Sequence, residues 1–395
     1  MTFGSVRTEA PRQCSQSCLT PEVVAPRVVG RMKISSLSMI GVVVLGALYS
    51  APIRAVADTG SAAGPGSYTV TTTADGAAAN PFDGVCRTDT GECTLRAAIQ
   101  AANVRPGSTI RVPPGRYELT IAPNFWNTNG PFIDPATGDL DITADTTIEG
   151  AGQDRTVIDA GHRDRVMLTT AHVSLSGLTI TGGNAAEHEI PLFETGGGGI
   201  ANSGKLILDH VTVVGNAADY GGGIFNIPVA DMRMTDSIVT ANAAGEAGGV
   251  RCDNTCTFTR TAITDNHVVN PRVKWYRFGG FAGRGGGLDI RGVGEVVLID
   301  SVVTGNSADE GGGGINIAPA YLDSLPYQFT DVFNPGMGHL ILRGSTIAQN
   351  TAGLGEQNCK KVFATILSTG GNLSNDHSCD LTAAGDAVRP DAGLR

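Results

Sequence analysis

The sequence has few aromatic residues, few basic residues and no long apolar segment. Only 5% of its 395 residues are aromatic, and 28 Lys and Arg stand against 38 Asp and Glu. The resulting net charge of −10 disfavours nucleic acid and anionic lipid as partners. The apolar run at residues 39–50 is too short for a comfortable membrane span.

That apolar run is better explained as part of a secretory signal peptide. A basic start at Arg31 to Lys33 precedes it, and an Ala-x-Ala end at Ala55 to Ala57 follows it. We therefore predict a non-mature segment at 1–57 with the signal peptide at 32–57, and an uncleaved signal anchor is the alternative. Removal of 1–57 takes away six Lys and Arg and two Asp and Glu, which leaves a net charge of about −14.

A short phrase recurs along the rest of the chain: an apolar strand, a small-residue turn ending in Asn, and a glycine cluster closed by an aliphatic residue. Two copies are LILDHVTVVGNAADYGGGI at 206–224 and VLIDSVVTGNSADEGGGGI at 297–315. Apolar residues alternate, as at Leu206 and Leu208, which is the period of a strand. Uninterrupted units are about 24 to 27 residues long, a period that indicates a solenoid.

The turn residues refine this prediction. Stacked Asn side chains can bond one another along a solenoid axis, and the glycines permit close approach of successive coils. Asn recurs at the same place in the phrase, at Asn184, Asn216, Asn242, Asn266, Asn306 and Asn350. We predict an all-β fold, a single-stranded right-handed parallel β-helix of eight to ten coils over 108–395, with an amino-terminal capping strand and helix at 58–107.

Six cysteines remain after residue 57. In an exported chain they favour three local disulfides. A zinc site at Cys252 and Cys256 is the alternative, but no second pair of ligands stands nearby. The predicted pairs are Cys86–Cys93, Cys252–Cys256 and Cys359–Cys379.

The predicted cap carries a family resemblance. CTLRAAIQAANV at 93–104 predicts a helix with Thr94 as N-cap and an apolar face that covers the first coil. Its Cys-x-Leu-Arg-x-Ala motif, within the segment 69–103, resembles the CSLREA domain that begins exported bacterial β-helix proteins. The repeats are also similar to those of polymorphic outer-membrane and adhesin-type proteins. The resemblance implies a secreted or cell-surface bacterial protein of the pectin-lyase-like superfold, and no particular reaction.

One column of charged residues is a candidate catalytic site. Two carboxylates at a suitable separation can serve a glycosidase, and carboxylates with an Arg can serve a lyase. A solvated turn ladder is the alternative interpretation, and the motifs Asn-Thr-Asp, Asp-Asp and Gly-His-Gly of hydrolases and lyases in this superfold are absent. Alignment of the copies predicts a column of Asp209, Asp236, Arg260, Asp300 and Arg343.

Metal binding has weaker support. The seven histidines fall at different phases of the repeat and share no metal-binding pattern. Oxygen ligands in the cap loop could hold a structural Ca²⁺, although neither EF-hand nor nonapeptide spacing is present. We expect no cofactor and no metal; the possible Ca²⁺ ligands are Asp75, Asn80, Asp83 and Asp89.

Three insertions interrupt the repeat and hold most of the aromatic residues. Sugar rings stack on such side chains, and insertions in a solenoid often form its binding face. The alternative is that these side chains only cover the flank of the β-helix. The residues predicted to bind a ligand are Trp126, Trp275, Tyr276, Phe278, Tyr321 and Tyr327.

Taken together, these features predict a non-catalytic, adhesin-like module that binds an extracellular polysaccharide or another cell-surface component. The alternatives are a polysaccharide lyase or glycoside hydrolase and a purely structural surface protein.

Self-association is a further expectation. After Cys379 the sequence offers no capping helix, and an open coil leaves an unpaired strand edge that favours β-augmentation. We expect the isolated protein to form oligomers in sedimentation velocity at high concentration. A single monomeric species across the concentration range would contradict this.

Overall fold

The strands of the protein stack in parallel into a right-handed β-helix, as the repeat predicts. The computed structural model describes residues 64–124, 133–185, 196–269, 283–292, 294–318 and 338–392. Each coil passes through a first and a second segment of sheet A and ends in sheet B, and coils 4 to 8 also have a sheet C strand between them. Coils 1 to 8 run over 108–142, 146–169, 172–202, 205–226, 231–252, 255–291, 295–318 and 339–361.

Sheet A has two strand segments in each coil. Its first segments are Ser67–Thr69 (β1), Ser108–Val112 (β2), Thr146–Gly150 (β5), His172–Thr181 (β8), Lys205–Val214 (β10), Asp231–Thr235 (β13), Thr255–Thr259 (β17), Glu295–Ile299 (β21), His339–Arg343 (β25) and Thr365–Ser368 (β29). β8 and β10 continue through the second segment. The other second segments are Gly115–Glu118 (β3), Thr156–Asp159 (β6), Ile238–Thr240 (β14), Ala262–Thr264 (β18), Val302–Thr304 (β22), Thr346–Ala348 (β26), Leu373–Ser374 (β30) and Ala387–Val388 (β31).

Sheets B and C have shorter strands. Sheet C consists of Ala217–Tyr220 (β11), Ala243–Glu246 (β15), His267–Val268 (β19), Ser307–Ala308 (β23) and Thr351–Ala352 (β27). Sheet B consists of Leu140–Ile142 (β4), Met167–Thr169 (β7), Ile200–Asn202 (β9), Ile224–Asn226 (β12), Val250–Cys252 (β16), Leu288–Arg291 (β20), Ile315–Ala318 (β24) and Cys359–Lys361 (β28).

The core fills the lumen of the coils. Alternate residues of each strand point inward, so Leu206 and Leu208 of β10 are fully buried and pair with Val173 and Leu175 of the coil before. Because the register repeats without a slip, the inward columns stay mainly apolar over all eight coils, with Phe258 and the disulfide of Cys252 and Cys256 among the aliphatic residues. Among the described residues, no helix combines the length and the apolar character that crossing a membrane requires.

The helix Leu95–Asn103 (α1) lies in the predicted cap, and the residues of its motif have structural roles. The Thr94 side chain accepts a hydrogen bond from the N–H of Ala97, as an N-cap does. Arg96 is buried; its Nε donates to Asp75 Oδ1 at 2.8 Å and its guanidinium also donates to the carbonyls of Gly138 and Asp139. The motif thus attaches the cap to coil 1.

The three predicted disulfides are present, Cys86–Cys93, Cys252–Cys256 and Cys359–Cys379, which removes the zinc alternative. The last pair bears on the expected open coil. Cys379 is fully buried in the core cluster, Leu381 packs against it, and the Ser378 hydroxyl accepts from the N–H of Cys359. A disulfide-anchored segment therefore lies against the last sheet B strand, where the sequence indicated no cap.

The corner between sheets A and C is held by a stack of buried asparagines. From Asn216 to Asn306, each side-chain amide donates to the Asn Oδ1 of the next coil, and the same Oδ1 accepts the backbone N–H of the donating Asn. Asn350 makes the same two bonds to Asn358 within coil 8. Asn184 is not part of the stack, because it forms a β-bridge with Ala217. Where the repeat predicted Asn184, the backbone N–H of Gly183 donates to Asn216 Oδ1 at 2.9 Å. The side-chain bonds join Asn216, Asn242, Asn266, Asn306, Asn350 and the unanticipated Asn358, at 2.9 to 3.0 Å.

We expect Asn242→Ala to lower the free energy of unfolding by about 3 kcal/mol, because it leaves buried donors of Asn216 without an acceptor. Guanidinium denaturation measures the change. Thr257→Ala, on the half-exposed outer side of β17, is the control and should change stability by less than about 0.5 kcal/mol. Equal midpoints for the two variants would show that the stack does not stabilise the fold.

Candidate functional site

The charged column of the sequence prediction lies at the corner between the two segments of sheet A, and the structure divides it. Asp236, Arg260 and Asp300 share one column, and His210 lies in it too. Asp209 pairs with Thr235, and Arg343 pairs with Ile299, so both fall one residue earlier. The sequence alignment was therefore wrong by one residue at both ends of the column.

The backbone explains why this column tolerates such different side chains. Its residues adopt left-handed conformations, with φ of 53° at His210, 49° at Asp236 and Arg260, and 48° at Asp300. Ser237, which follows Asp236, points inward. Its Oγ accepts a hydrogen bond from the N–H of Val211 at 3.0 Å, in place of the backbone carbonyl that would accept this N–H in a continuous strand. The residues of this column are therefore determined mainly by the turn, and their side chains point outward from the corner.

Asp236 and Arg260 form an ion pair at this corner. Arg260 Nε donates to Asp236 Oδ1 and Nη2 donates to Oδ2, both at 2.7 Å, which is a bidentate arrangement. The pair is exposed, so it adds little to stability. Hydrogen bonding from Arg260 lowers the pKa of Asp236 below its usual value, so this carboxylate stays ionised at neutral pH.

A shallow groove of about 620 Å³ lies beside this pair. The loop of coil 2 forms one wall, and Gln153 reaches across the corner: its Oε1 accepts from Thr212 Oγ1 at 3.1 Å and its Nε2 donates to the Asp236 carbonyl at 3.2 Å. The groove therefore offers donors and acceptors in fixed positions. Its lining consists of Gly152, Gln153, Asp154, His210, Asp236, Ser237, Ile238, Arg260 and Ala262.

The groove also holds the ligand atoms of one potential metal site. Asp209, His210 and Asp236 each place one such atom within 4.8 Å of the others. However, Asp236 is engaged by Arg260, and His210 Nδ1 lies 3.0 Å from Asp209 Oδ1. These pairings use the same side chains that a metal ion would need.

The cap loop is a poor calcium site for a similar reason. Asp75 was one of its four predicted oxygen ligands. Its carboxylate accepts from Arg96 and from the N–H groups of Thr120 and Ile121. Asp83 Oδ1 accepts from the N–H of Val85 within its own turn.

The six aromatic residues predicted to bind a ligand lie outside the described residues. Their ranges are 125–132, 270–282 and 319–337. The prediction that they contact a ligand stays a prediction.

A second group of charged residues, which the sequence interpretation missed, lies on the outer side of sheet B and includes Glu246 from β15 of sheet C. We call Glu246, Arg251, Asp253, Asp289 and Arg291 the sheet B ion cluster. Arg251 Nε donates to Asp253 Oδ1 at 2.8 Å, and Arg291 Nε donates to Asp289 Oδ2 at 2.8 Å. Glu246 accepts from both guanidinium groups. The sequence contains a weak signal for this cluster. At one outward position of sheet B, coils 3 and 4 have Ala201 and Phe225, whereas coils 5 and 6 have the charged residues Arg251 and Asp289.

Burial governs the chemistry of this cluster. Desolvation raises the pKa of Glu246 to about 7, although Arg291 acts in the opposite direction. The Arg251 guanidinium lies 5.0 Å from the centroid of the Tyr220 ring and 5.1 Å from that of Phe225. The bond from Arg291 to Glu246 joins coils 5 and 6. Because Glu246 is only 5% exposed and Asp289 is fully buried, these carboxylates present no open binding surface.

We expect Glu246→Gln to change the pH dependence of stability. With a pKa of about 7 in the folded state and 4.5 as the ordinary value, Glu246 takes up a proton on folding between these limits. Its contribution is full below pH 4.5 and is lost as pH rises through 7, by up to about 3 kcal/mol.

Denaturation midpoints at pH 5 and pH 8 measure this difference, which should shrink in Glu246→Gln. Glu295→Gln, at an exposed position of β21, should keep the wild-type difference. A variant at position 246 with an unchanged pH profile would contradict the assignment.

Comparison with known proteins identifies no family. No protein-family model matches the chain. No curated protein matches its sequence either. Among solved structures, pectate lyase Pel9A is similar at 14% identity over 79% of this chain and 68% of that chain, with a TM-score of 0.38. The A-module of the Azotobacter vinelandii mannuronan C-5 epimerase AlgE4 is similar at 15% identity over 75% of this chain and 91% of that chain, with a TM-score of 0.33. Values this low carry no information about a ligand or a reaction.

Proposed function

We propose that this protein is an exported, non-catalytic β-helix module that binds glycans through the groove at the corner of sheet A. The groove residues Gln153, Asp236 and Arg260 carry the proposal. Their donors and acceptors are held by one another and by the backbone, so they are already oriented for the hydroxyl groups of a sugar.

Binding is a better match to this geometry than hydrolysis or elimination. A glycosidase needs a carboxylic acid that is protonated at the working pH, and a lyase needs a free base. Arg260 keeps Asp236 ionised, and Asp236 in turn raises the pKa of Arg260. The central pair of the groove therefore supplies neither group at neutral pH.

Export is supported by independent features. The three disulfides are typical of chains that fold in an oxidising compartment. The cap helix with its Cys-x-Leu-Arg-x-Ala motif has a folding role in coil 1, which fits a CSLREA-like module at the start of a secreted or cell-surface protein. We include an adhesin-type role at the cell surface in the proposal.

We expect Arg260→Ala to weaken glycan binding at least tenfold, because it removes a donor and releases Asp236 from its fixed position. Affinity electrophoresis in gels containing cellulose derivatives, xylan, mannan, amylose or pectate identifies the polymer that binds. Arg233→Ala, at an exposed position of β13 outside the groove lining, is the matched control and should bind as the wild type does.

Two outcomes would contradict the proposal. Unchanged affinity in Arg260→Ala would exclude the groove as the binding site. Release of reducing or unsaturated sugar ends from any bound polymer, lost in Arg260→Ala, would establish an enzyme instead.

A further inference from the structure

The second segments of sheet A display a strip of uncharged side chains that begins at the groove. Inward residues such as Val239 and Val303 are fully buried, so their neighbours on each strand face outward. The outward residues form two columns along coils 3 to 8, paired strand by strand. One column is Thr179, Thr212, Ile238, Ala262, Val302 and Thr346, and the other is Thr181, Val214, Thr240, Thr264, Thr304 and Ala348.

Strand propensity alone does not account for this composition. The first segments of the same sheet carry charged residues at outward positions in four of these six coils, coils 4, 5, 7 and 8. Strand-forming residues would be equally suitable there. The charged residues at those positions are Lys205, Asp209, Asp231, Arg233, Glu295 and Arg343. The strip is therefore a distinct surface.

The dimensions of the strip favour a narrow ligand over a protein partner. Six coils extend over roughly 25 to 30 Å, and the two columns are about 7 Å apart. The resulting area, on the order of 200 Å², is well below the roughly 800 Å² that each partner contributes to a stable protein interface. A straight strip of this width matches a single unbranched chain that lies parallel to the β-helix axis.

The chemistry of the strip restricts that chain further. Aliphatic side chains such as Ile238 and Val302 match the apolar face of a sugar ring, and hydroxyls such as Thr240 and Thr304 match its hydroxyl groups. A charged polymer would find no counter-ion along either column. A coiled polymer would leave a straight strip after a few units.

Gln153 covers one end of the strip and makes polar contacts there of the kind that a ligand could make. Its side chain lies across coils 4 and 5, bonded to the Thr212 hydroxyl and the Asp236 carbonyl, and its own carbonyl accepts from Thr179 Oγ1. Thr179 is only 9% exposed as a result. The strip is thus covered by Gln153 in coil 3 and is accessible from coil 5 to coil 7, where Ile238 is 36% and Val302 is 37% exposed, while Ala348 in coil 8 has no exposed surface.

We propose that the ligand of this protein is a neutral, unbranched, ribbon-like polysaccharide of the β-1,4-linked kind, which starts in the groove and continues along the strip. The inference rests on the proposed glycan binding in the groove and adds the length, charge and shape of the chain.

Chain length provides the test. Isothermal titration with the β-1,4-linked oligosaccharide series of whichever polymer binds, from two to eight units, should show affinity that rises about tenfold or more with length before it levels off. Val302→Lys, in coil 7 outside the groove lining, should abolish that gain by placing a charge under the chain and should leave the shortest oligosaccharide unaffected. Val297→Lys is the matched control, because it makes the same change in the same coil on the first segment, where affinity should not change.

The failures are distinguishable. If amylose or pectate binds and the β-1,4-linked polymers do not, or if two units bind as tightly as eight, the strip is not a binding surface, while glycan binding in the groove stands. If Val302→Lys and Val297→Lys have equal effects, the strip is likewise excluded. If no polymer binds, both proposals fail. Circular dichroism and melting temperature establish that both Lys variants are folded.

Discussion

The structure depends on the satisfaction of backbone polar groups at the corners of each coil. Strands pair readily with their copies in the next coil, but a corner interrupts the ladder and leaves N–H groups without acceptors. At the corner between sheets A and C, Asn242 and its equivalents supply the missing acceptor and pass a side-chain bond to the next coil. At the corner within sheet A, hydroxyls such as that of Ser301 do the same. These corners determine the outline of the lumen, and buried apolar side chains fill it.

This division of labour decides where the surface is free to vary. Residues that turn the chain are small, polar or left-handed, and residues of the lumen are mainly apolar. Neither requirement applies to outward side chains, so the coils differ most at these positions. The corner groove, the uncharged strip and the sheet B ion cluster all consist of outward side chains.

The sequence predicted the structure correctly wherever a local feature, such as a tight turn or a disulfide, requires one particular residue type. The glycine and Asn phrase predicted the coils, and Cys359 and Cys379 predicted a covalent link. The sequence prediction was wrong by one residue at Asp209, Arg343 and Asn184, because the residue types do not reveal which position of a turn takes the left-handed conformation. The Asp236–Arg260 pair and the sheet B ion cluster depend on neighbours about a coil apart, whose contacts follow only from the register.

The disulfide of Cys252 and Cys256 has a consequence for assembly. Both sulfur atoms point into the lumen, with Asn226 and Met232 in register on one side and Ile290 and Val296 on the other. Neither cysteine has any exposed surface. An oxidant or reductant can reach them only while these coils are apart. The redox state of this bond is therefore decided while coils 4 to 7 pack together, and it does not change once the β-helix has formed.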